Sequence, residues 1–301
     1  MSRIFVSGLI NLEVTLRVDG FPISYAPVRY PFHGVHSNIS GVGFNVAKAL
    51  AALGDQVRLA SMVGEDFAGS FARLALKRAG IPTKYLVEQL PQTPHSVILF
   101  DKEGRRQINV DLKDIQQSVY PEEDFVRASA GCSLLALCNI NFSRPLLRPA
   151  KETGKPVATD VHAISSLDDE YNRDFMAAAN VLFMSNELLP CSPEEWARKI
   201  VGRFGSEIVV VGLGADGALL SVKRDRFLER VPAHPAPQTV STIGAGDALF
   251  SAFIHFYAQD RNAYTAIQKA MIFAAHKIGV TCAAEGFLTE QEVNRIHAEA
   301  R

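Results

Sequence analysis

The ten residues 248–257, Ala-Leu-Phe-Ser-Ala-Phe-Ile-His-Phe-Tyr, hold too few polar positions for a helix with one face in water. A helix apolar all round must lie inside the protein, against a sheet and further helices. A chain of 301 residues has the length to enclose one. Just before it stand Gly244, Ala245 and Gly246, with Asp247 in the first turn. Residues with almost no side chain let the backbone approach a ligand closely. Their amides lie unpaired at a helix start, and with the helix dipole they converge where an anion such as phosphate would sit. Asp247 either complements the dipole or acts as a general base beside that anion, and the four residues alone leave both open.

Strand and helix signals alternate along the rest of the chain. Residues 4–6 read as a buried first strand. Leu12, Val14, Leu16 and Val18 alternate with Glu13, Thr15 and Arg17, so Asn11 and Glu13 share the face opposite the apolar one. Residues 20–40, rich in Pro, Gly, Tyr and His, read as an extended excursion. A second glycine turn, Gly41-Val-Gly43, opens a helix with Val46, Leu50 and Leu53 inward and Gly54 as its cap. A strand at 55–64 follows, then a helix at 66–79 with Phe67, Phe71 and Leu74 inward. Residues 96–100 and 106–110 form a hairpin that can pair with the strand at 12–18. Central strands at 133–138, 156–160, 181–184 and 208–211, and helices at 263–280 and 289–299, complete the pattern. Such alternation argues for a parallel sheet covered on both sides.

Composition excludes several classes. The net charge is -1, with 48% hydrophobic and 21% charged residues, which gives no footprint for nucleic acid or a membrane surface. No apolar run reaches the roughly 20 residues of a spanning helix. The apolar part of the N-terminus is too short for a signal peptide, so the expected location is the cytoplasm. Cys132, Cys138, Cys191 and Cys282 form no C-x-x-C pair, and His33 and His36 belong to a polar loop without a completing ligand set. Gly212-Leu-Gly-Ala-Asp-Gly217 matches G-x-G-x-x-G, but 218–222 reads as a strand and 223–226 as its turn. A dinucleotide fingerprint needs a helix there, and no Walker A motif occurs elsewhere.

The chain resembles the ribokinase-like (PfkB) family of carbohydrate and nucleoside kinases. Residues 241–248, Ser-Thr-Ile-Gly-Ala-Gly-Asp-Ala, look like that family's C-terminal signature, and 40–47, Ser-Gly-Val-Gly-Phe-Asn-Val-Ala, like its N-terminal one. Residues 63–69, the Ser185-Asn186-Glu187 stretch and Gly212-x-Gly214 fall between them in the expected order. The resemblance implies an α/β fold: a doubly wound, mainly parallel sheet flanked by helices, with a small β-sheet lid. The core would comprise 1–11, 39–94 and 112–301, and the lid 12–38 and 95–111. It implies transfer of the γ-phosphoryl of ATP, with Mg²⁺, to a hydroxyl of a small sugar. Asp247 would be the base, with the amides of Gly244, Ala245 and Gly246 as the anion hole. Asn11, Glu13, Gly41, Gly43 and Asn45 would bind the acceptor, and Asn186, Gly212, Gly214 and Gly217 the nucleotide. The implied partner is a sugar or nucleoside, and an uncovered edge of the lid sheet could pair with a second copy in a homodimer.

Four positions depart from the family pattern. Ser241 replaces the first Asp of the C-terminal signature, which removes a carboxylate near the monovalent-cation site of many relatives. Leu189 stands where an Asn-x-x-Glu motif would place Glu. Glu13 replaces the usual Asp, and Val42 the lysine of ribokinases proper. Gly-Val-Gly-x-Asn-Val-Ala is similar to pseudouridine kinases, so a nucleoside is the alternative acceptor. A catalytically silent binding protein on the same fold is the other rival.

Overall fold

Short runs of branched apolar residues, punctuated by glycine and proline, form strands. Longer stretches with one apolar stripe form helices. A computed structural model describes residues 2–280 and 282–300. The strands are β1 (Arg3–Ser7), β2 (Asn11–Arg17), β3 (Val35–Ser40), β4 (Gln56–Gly64), β5 (Leu86–Leu90), β6 (His95–Phe100), β7 (Arg106–Asp111), β8 (Leu134–Leu137), β9 (Val157–Ala163), β10 (Val181–Ser185), β11 (Ile208–Gly212), β12 (Ala218–Val222) and β13 (Phe227–Val231). The α-helices are α1 (Val42–Ala52), α2 (Phe67–Arg78), α3 (Glu122–Ser129), α4 (Leu147–Glu152), α5 (Arg173–Ala178), α6 (Pro193–Phe204), α7 (Ala245–Asp260), α8 (Ala263–Lys277) and α9 (Glu290–Glu299).

Nine strands form one sheet in the order β13-β12-β11-β10-β9-β8-β1-β4-β5. It is parallel from β11 to β5, and β12 and β13 are added antiparallel at one edge. One core packs α1, α2, α7 and α8 on one face, and a second packs α3, α4, α5 and α6 on the other. Strand order reverses between β1 and β8, the point where open α/β sheets leave a crevice beyond the strands' carboxyl ends. The 212–217 motif lies in a β11–β12 hairpin, so the absent dinucleotide helix follows from antiparallel pairing.

Four strands form a separate sheet, β3-β2-β6-β7. β2 runs parallel to β6 and antiparallel to β3, and β6 and β7 are the expected hairpin. The excursion at 20–40 ends as β3, on the edge of β2 and off the main sheet. One expectation needs correction. In α2, Phe67, Phe71 and Leu74 face outward at 75%, 40% and 42% exposure, while Ala68, Ala72 and Leu76 are buried. The small residues lie inward because α2 presses closely on the end of β4: a Cβ at Gly69 would sit 2.1 Å from the Gly64 carbonyl oxygen. A large ring cannot enter so narrow a gap.

The tightest backbone approach in the crevice joins Gly8, just past β1, to Gly43 in α1. A Cβ at Gly43 would lie 2.3 Å from the Gly8 carbonyl carbon. Gly43→Ala must therefore push α1 off β1, and it is expected to cost ~2 kcal/mol or more, as overpacking does. Urea unfolding checks this, and an unchanged midpoint would show that the two segments slide apart freely.

Candidate active site

Two helix starts from opposite ends of the chain meet in the crevice. Asn45 lies in the first turn of α1 and Asp247 in the first turn of α7, and the two helices pack against each other. Asn45 Nδ2 donates to Asp247 Oδ2 at 2.7 Å. Ser40 Oγ, at the end of β3, donates to Asn45 Oδ1 at 3.3 Å. The neighbouring Ser40 hydroxyl also lowers the Glu13 pKa. A polar chain thus runs from β2 through β3 and α1 to α7.

Burial pushes the Asp247 pKa up to about 6. The Asn45 amide and the charges of His162 and Lys277 act against that rise, and Asp160 reinforces it. Asp160 and His162 come from the end of β9, where the register to β10 breaks and His162 adopts φ 57°. Such irregularities re-aim side chains at strand ends. The His162 amide donates to Asp160 Oδ1 at 2.8 Å.

The turn before α7 has the predicted form. Gly244 caps the helix at φ 78°, a left-handed conformation that glycine adopts without strain. Gly246 is exposed, with no atom within 4 Å of a Cβ placed there. The Ala245 amide, however, already donates to Thr242 O at 3.2 Å, so the least encumbered approach is over Gly246. Arg106 of β7 reaches down to this turn, donating to Thr242 Oγ1 at 3.1 Å. The small sheet therefore touches both α1 and the α7 turn.

β2 turns its polar face to the crevice. Asn11, Glu13 and Thr15 are buried at 3%, 6% and 6% exposure, while Leu12, Val14 and Leu16 are half-buried on the other side. Asn11 Nδ2 donates to Ser96 Oγ at 2.6 Å, leaving Asn11 Oδ1 buried without a partner. Burial also raises the Glu13 pKa, against the Ser40 hydrogen bond. Gly41 caps α1, and a Cβ there would meet Asn11 Oδ1 at 2.9 Å.

The candidate nucleotide residues lie farther along the strand ends. The Asn186 amide, just past β10, donates to Gly212 O at 3.1 Å, and both Asn186 and Gly214 are exposed. Gly217 is different. It is buried in the hairpin, where a Cβ would meet the Val231 carbonyl oxygen at 2.1 Å, so its backbone serves the turn.

The crevice thus brings together an open helix start, a carboxyl with a raised pKa beside it, and a buried polar face of β2. The chain matches the description "pfkB family carbohydrate kinase" over residues 1–145 and 156–289. It belongs to the pfkB family of carbohydrate kinases. As a pfkB kinase it is a sugar or nucleoside kinase that works with ATP.

Among its relatives is the ATP-dependent ribose-1-phosphate kinase of Halopiger xanaduensis, 29% identical over 275 residues that span 90% of each chain. Deoxyribokinase of Salmonella typhi is 30% identical over 258 residues, covering 79% of this kinase and 80% of the relative. Among solved structures, the microbiome-derived acarbose kinase Mak1 superposes with TM-score 0.89 at 23% identity, covering 99% of both chains. A ribokinase-like structure from Agrobacterium tumefaciens superposes with TM-score 0.87 at 20% identity, covering 99% of this chain and 98% of its own. These likenesses establish the ribokinase-like fold of the pfkB kinase.

Lys277 is the residue that the sequence reading passed over. It ends α8, it is fully buried, and it contributes to the electrostatics of both Glu13 and Asp247. Its signal was present in the sequence: Ala266, Ala270, Phe273 and Lys277 fall at helical spacing on one buried face. No helix among the described residues is long and apolar enough to cross a membrane.

Proposed function

We propose that this kinase transfers the γ-phosphoryl group of ATP to a hydroxyl of a small sugar, with Asp247 as the base. The observation that carries this reading is the Asp247 carboxyl, oriented by Asn45 at 2.7 Å and set beside the open turn at Gly246. The acceptor hydroxyl gives its proton to Asp247 as its oxygen attacks the γ-phosphorus. The bond to the β-phosphate oxygen breaks, and ADP leaves with that electron pair. Amides at the start of α7 bind the oxygens of the transferring group. Asn186, Gly212 and Gly214 border the nucleotide's path, while Gly217 holds the hairpin. The small sheet acts as the lid, with 12–38 and 95–111 closing over the acceptor.

Among the described residues no cluster of three or more His, Cys, Asp or Glu side chains could hold a metal. A magnesium ion bound with the nucleotide would supply neutralisation of charge on its phosphates. The pairing of a carboxylate with amides in the acceptor pocket supports a neutral sugar with several hydroxyls.

ADP release with a panel of D-ribose, 2-deoxy-D-ribose, ribose 1-phosphate, fructose 1-phosphate and pseudouridine tests the reading. Acceptor-dependent release is the expected result. Release with none of them would favour a silent binding protein.

Asn45 acts through Asp247 as a positioning residue. Its hydrogen bond lowers the Asp247 pKa, so removing it must raise that pKa above about 6. Asn45→Leu is expected to move the acidic limb of kcat/KM to higher pH and to lower kcat. A limb left in place would separate Asn45 from the carboxylate it touches.

A further inference from the structure

A lysine that stabilises a fold places its ammonium against carbonyls or carboxylates. Lys277 does not. Its side chain is wholly buried, and Nζ has no hydrogen-bond partner among the described residues. Burial pulls its pKa down, against the nearby Cys282, Asp247, Glu13 and Glu285, yet no carboxylate lies within ion-pair distance of Nζ among the described residues. A buried polar group with no partner costs the protein stability. A structural lysine at this place would gain by being methionine or leucine.

The cost has an account if the partner arrives with the substrate. Lys277 ends α8 within electrostatic reach of Glu13 and Asp247, the carboxyls assigned above to acceptor binding and catalysis. A second orphan lies on β2, beside Glu13. Asn11 Oδ1, two residues from Glu13 on one side of β2, is buried and accepts no hydrogen bond. One unsatisfied donor and one unsatisfied acceptor are complementary to a hydroxyl, which both accepts and donates. A pocket with two carboxyls and one ammonium does not favour a further anion. A neutral polyol fits that balance.

We propose that Lys277 is an acceptor-binding residue, whose ammonium donates to a hydroxyl oxygen of the sugar while that hydroxyl donates to Glu13 or Asn11. The inference rests on the kinase reading above and adds to it the cation of the acceptor pocket. Because the contact is to a bound hydroxyl and phosphoryl transfer builds little charge on the attacking oxygen, its effect falls on KM more than on kcat.

The test uses Lys277→Met, Lys277→Gln and the acceptor from the panel that gives the fastest ADP release. Lys277→Met is expected to raise that acceptor's KM about 10- to 100-fold, the range for a hydrogen bond to a charged group, with kcat and the ATP KM within about threefold. Lys277→Gln, which keeps two donors without the charge, is expected to raise KM less. The acceptor-free Lys277→Met protein should melt at the same temperature as wild type or higher, since an unpaired buried charge has gone. A structural lysine would lower the melting temperature and leave KM in place, and that result overturns the proposal. Should Lys277→Met fail to fold, a wild-type KM in Lys277→Gln overturns it equally. Failure of the kinase reading looks different, because the wild-type protein would then release no ADP with any acceptor.

Discussion

Asp247→Asn is expected to lower kcat by ~10²-fold or more, the lower range for a lost general base, while melting temperature and ATP binding stay close to wild type. The substitution preserves the size of the side chain and its contact with Asn45, 2.7 Å away. What it removes is the carboxylate proposed to take the acceptor's proton. The pH profile gives an independent check. Burial sets the Asp247 pKa at about 6, above the ordinary carboxyl range. A base works only when deprotonated, so kcat/KM should be level above that pH and fall about tenfold per unit below it. In Asp247→Asn the acidic limb should vanish along with most of the rate. A variant that turns over near the wild-type rate, or keeps the limb, would remove Asp247 from the mechanism.

The central architecture was legible because its signals are local. The β1 strand, the α1 and α7 glycine starts and the β11–β12 hairpin each announce themselves within about ten residues. Three features were not legible, and each depends on what packs opposite. In α2 the bulky stripe of Phe67, Phe71 and Leu74 suggests a buried face, yet the neighbouring end of β4 leaves room only for Ala68 and Ala72. Amphipathic spacing reports that two faces differ, and close packing decides which is covered. In β2 the same inversion has a different cause. Alternation would place the leucines inward, but the buried side is Asn11, Glu13 and Thr15, because that sheet covers a polar crevice. Local rules fail where a site needs polar groups out of water.

The third feature is the link between the two signatures. Asn45 and Asp247 stand 202 positions apart, and their contact at 2.7 Å is a product of α1 packing on α7. Either residue can be picked from its motif, but the motifs do not say that one orients the other. Arg106 shows the same limit. At a hairpin tip an arginine reads as solvated, and only the placement of β7 over the α7 turn brings it to Thr242.

Glu13→Gln is expected to raise the acceptor KM by about 10-fold or more with a smaller change in kcat, since hydrogen bonds to charged groups are worth roughly 1.5–3 kcal/mol. Glu13 is 6% exposed on the crevice side of β2, with a partner in Ser40. Burial raises its pKa, the Ser40 hydroxyl lowers it, the Asp247 charge raises it and Lys277 lowers it. Glutamine keeps the length and one carbonyl oxygen. It loses the charge proposed to draw sugar hydroxyls, which lies within electrostatic reach of Lys277. If both residues grip the same part of the acceptor, the losses must not add. In a Lys277→Met background, Glu13→Gln should cost less than it does alone, because the hydroxyl that joins the pair has already been released. A four-point cycle of KM values, measured with the fastest acceptor, gives that coupling directly. An unchanged KM in Glu13→Gln would take the carboxylate out of acceptor recognition, and strictly additive losses would separate it from Lys277.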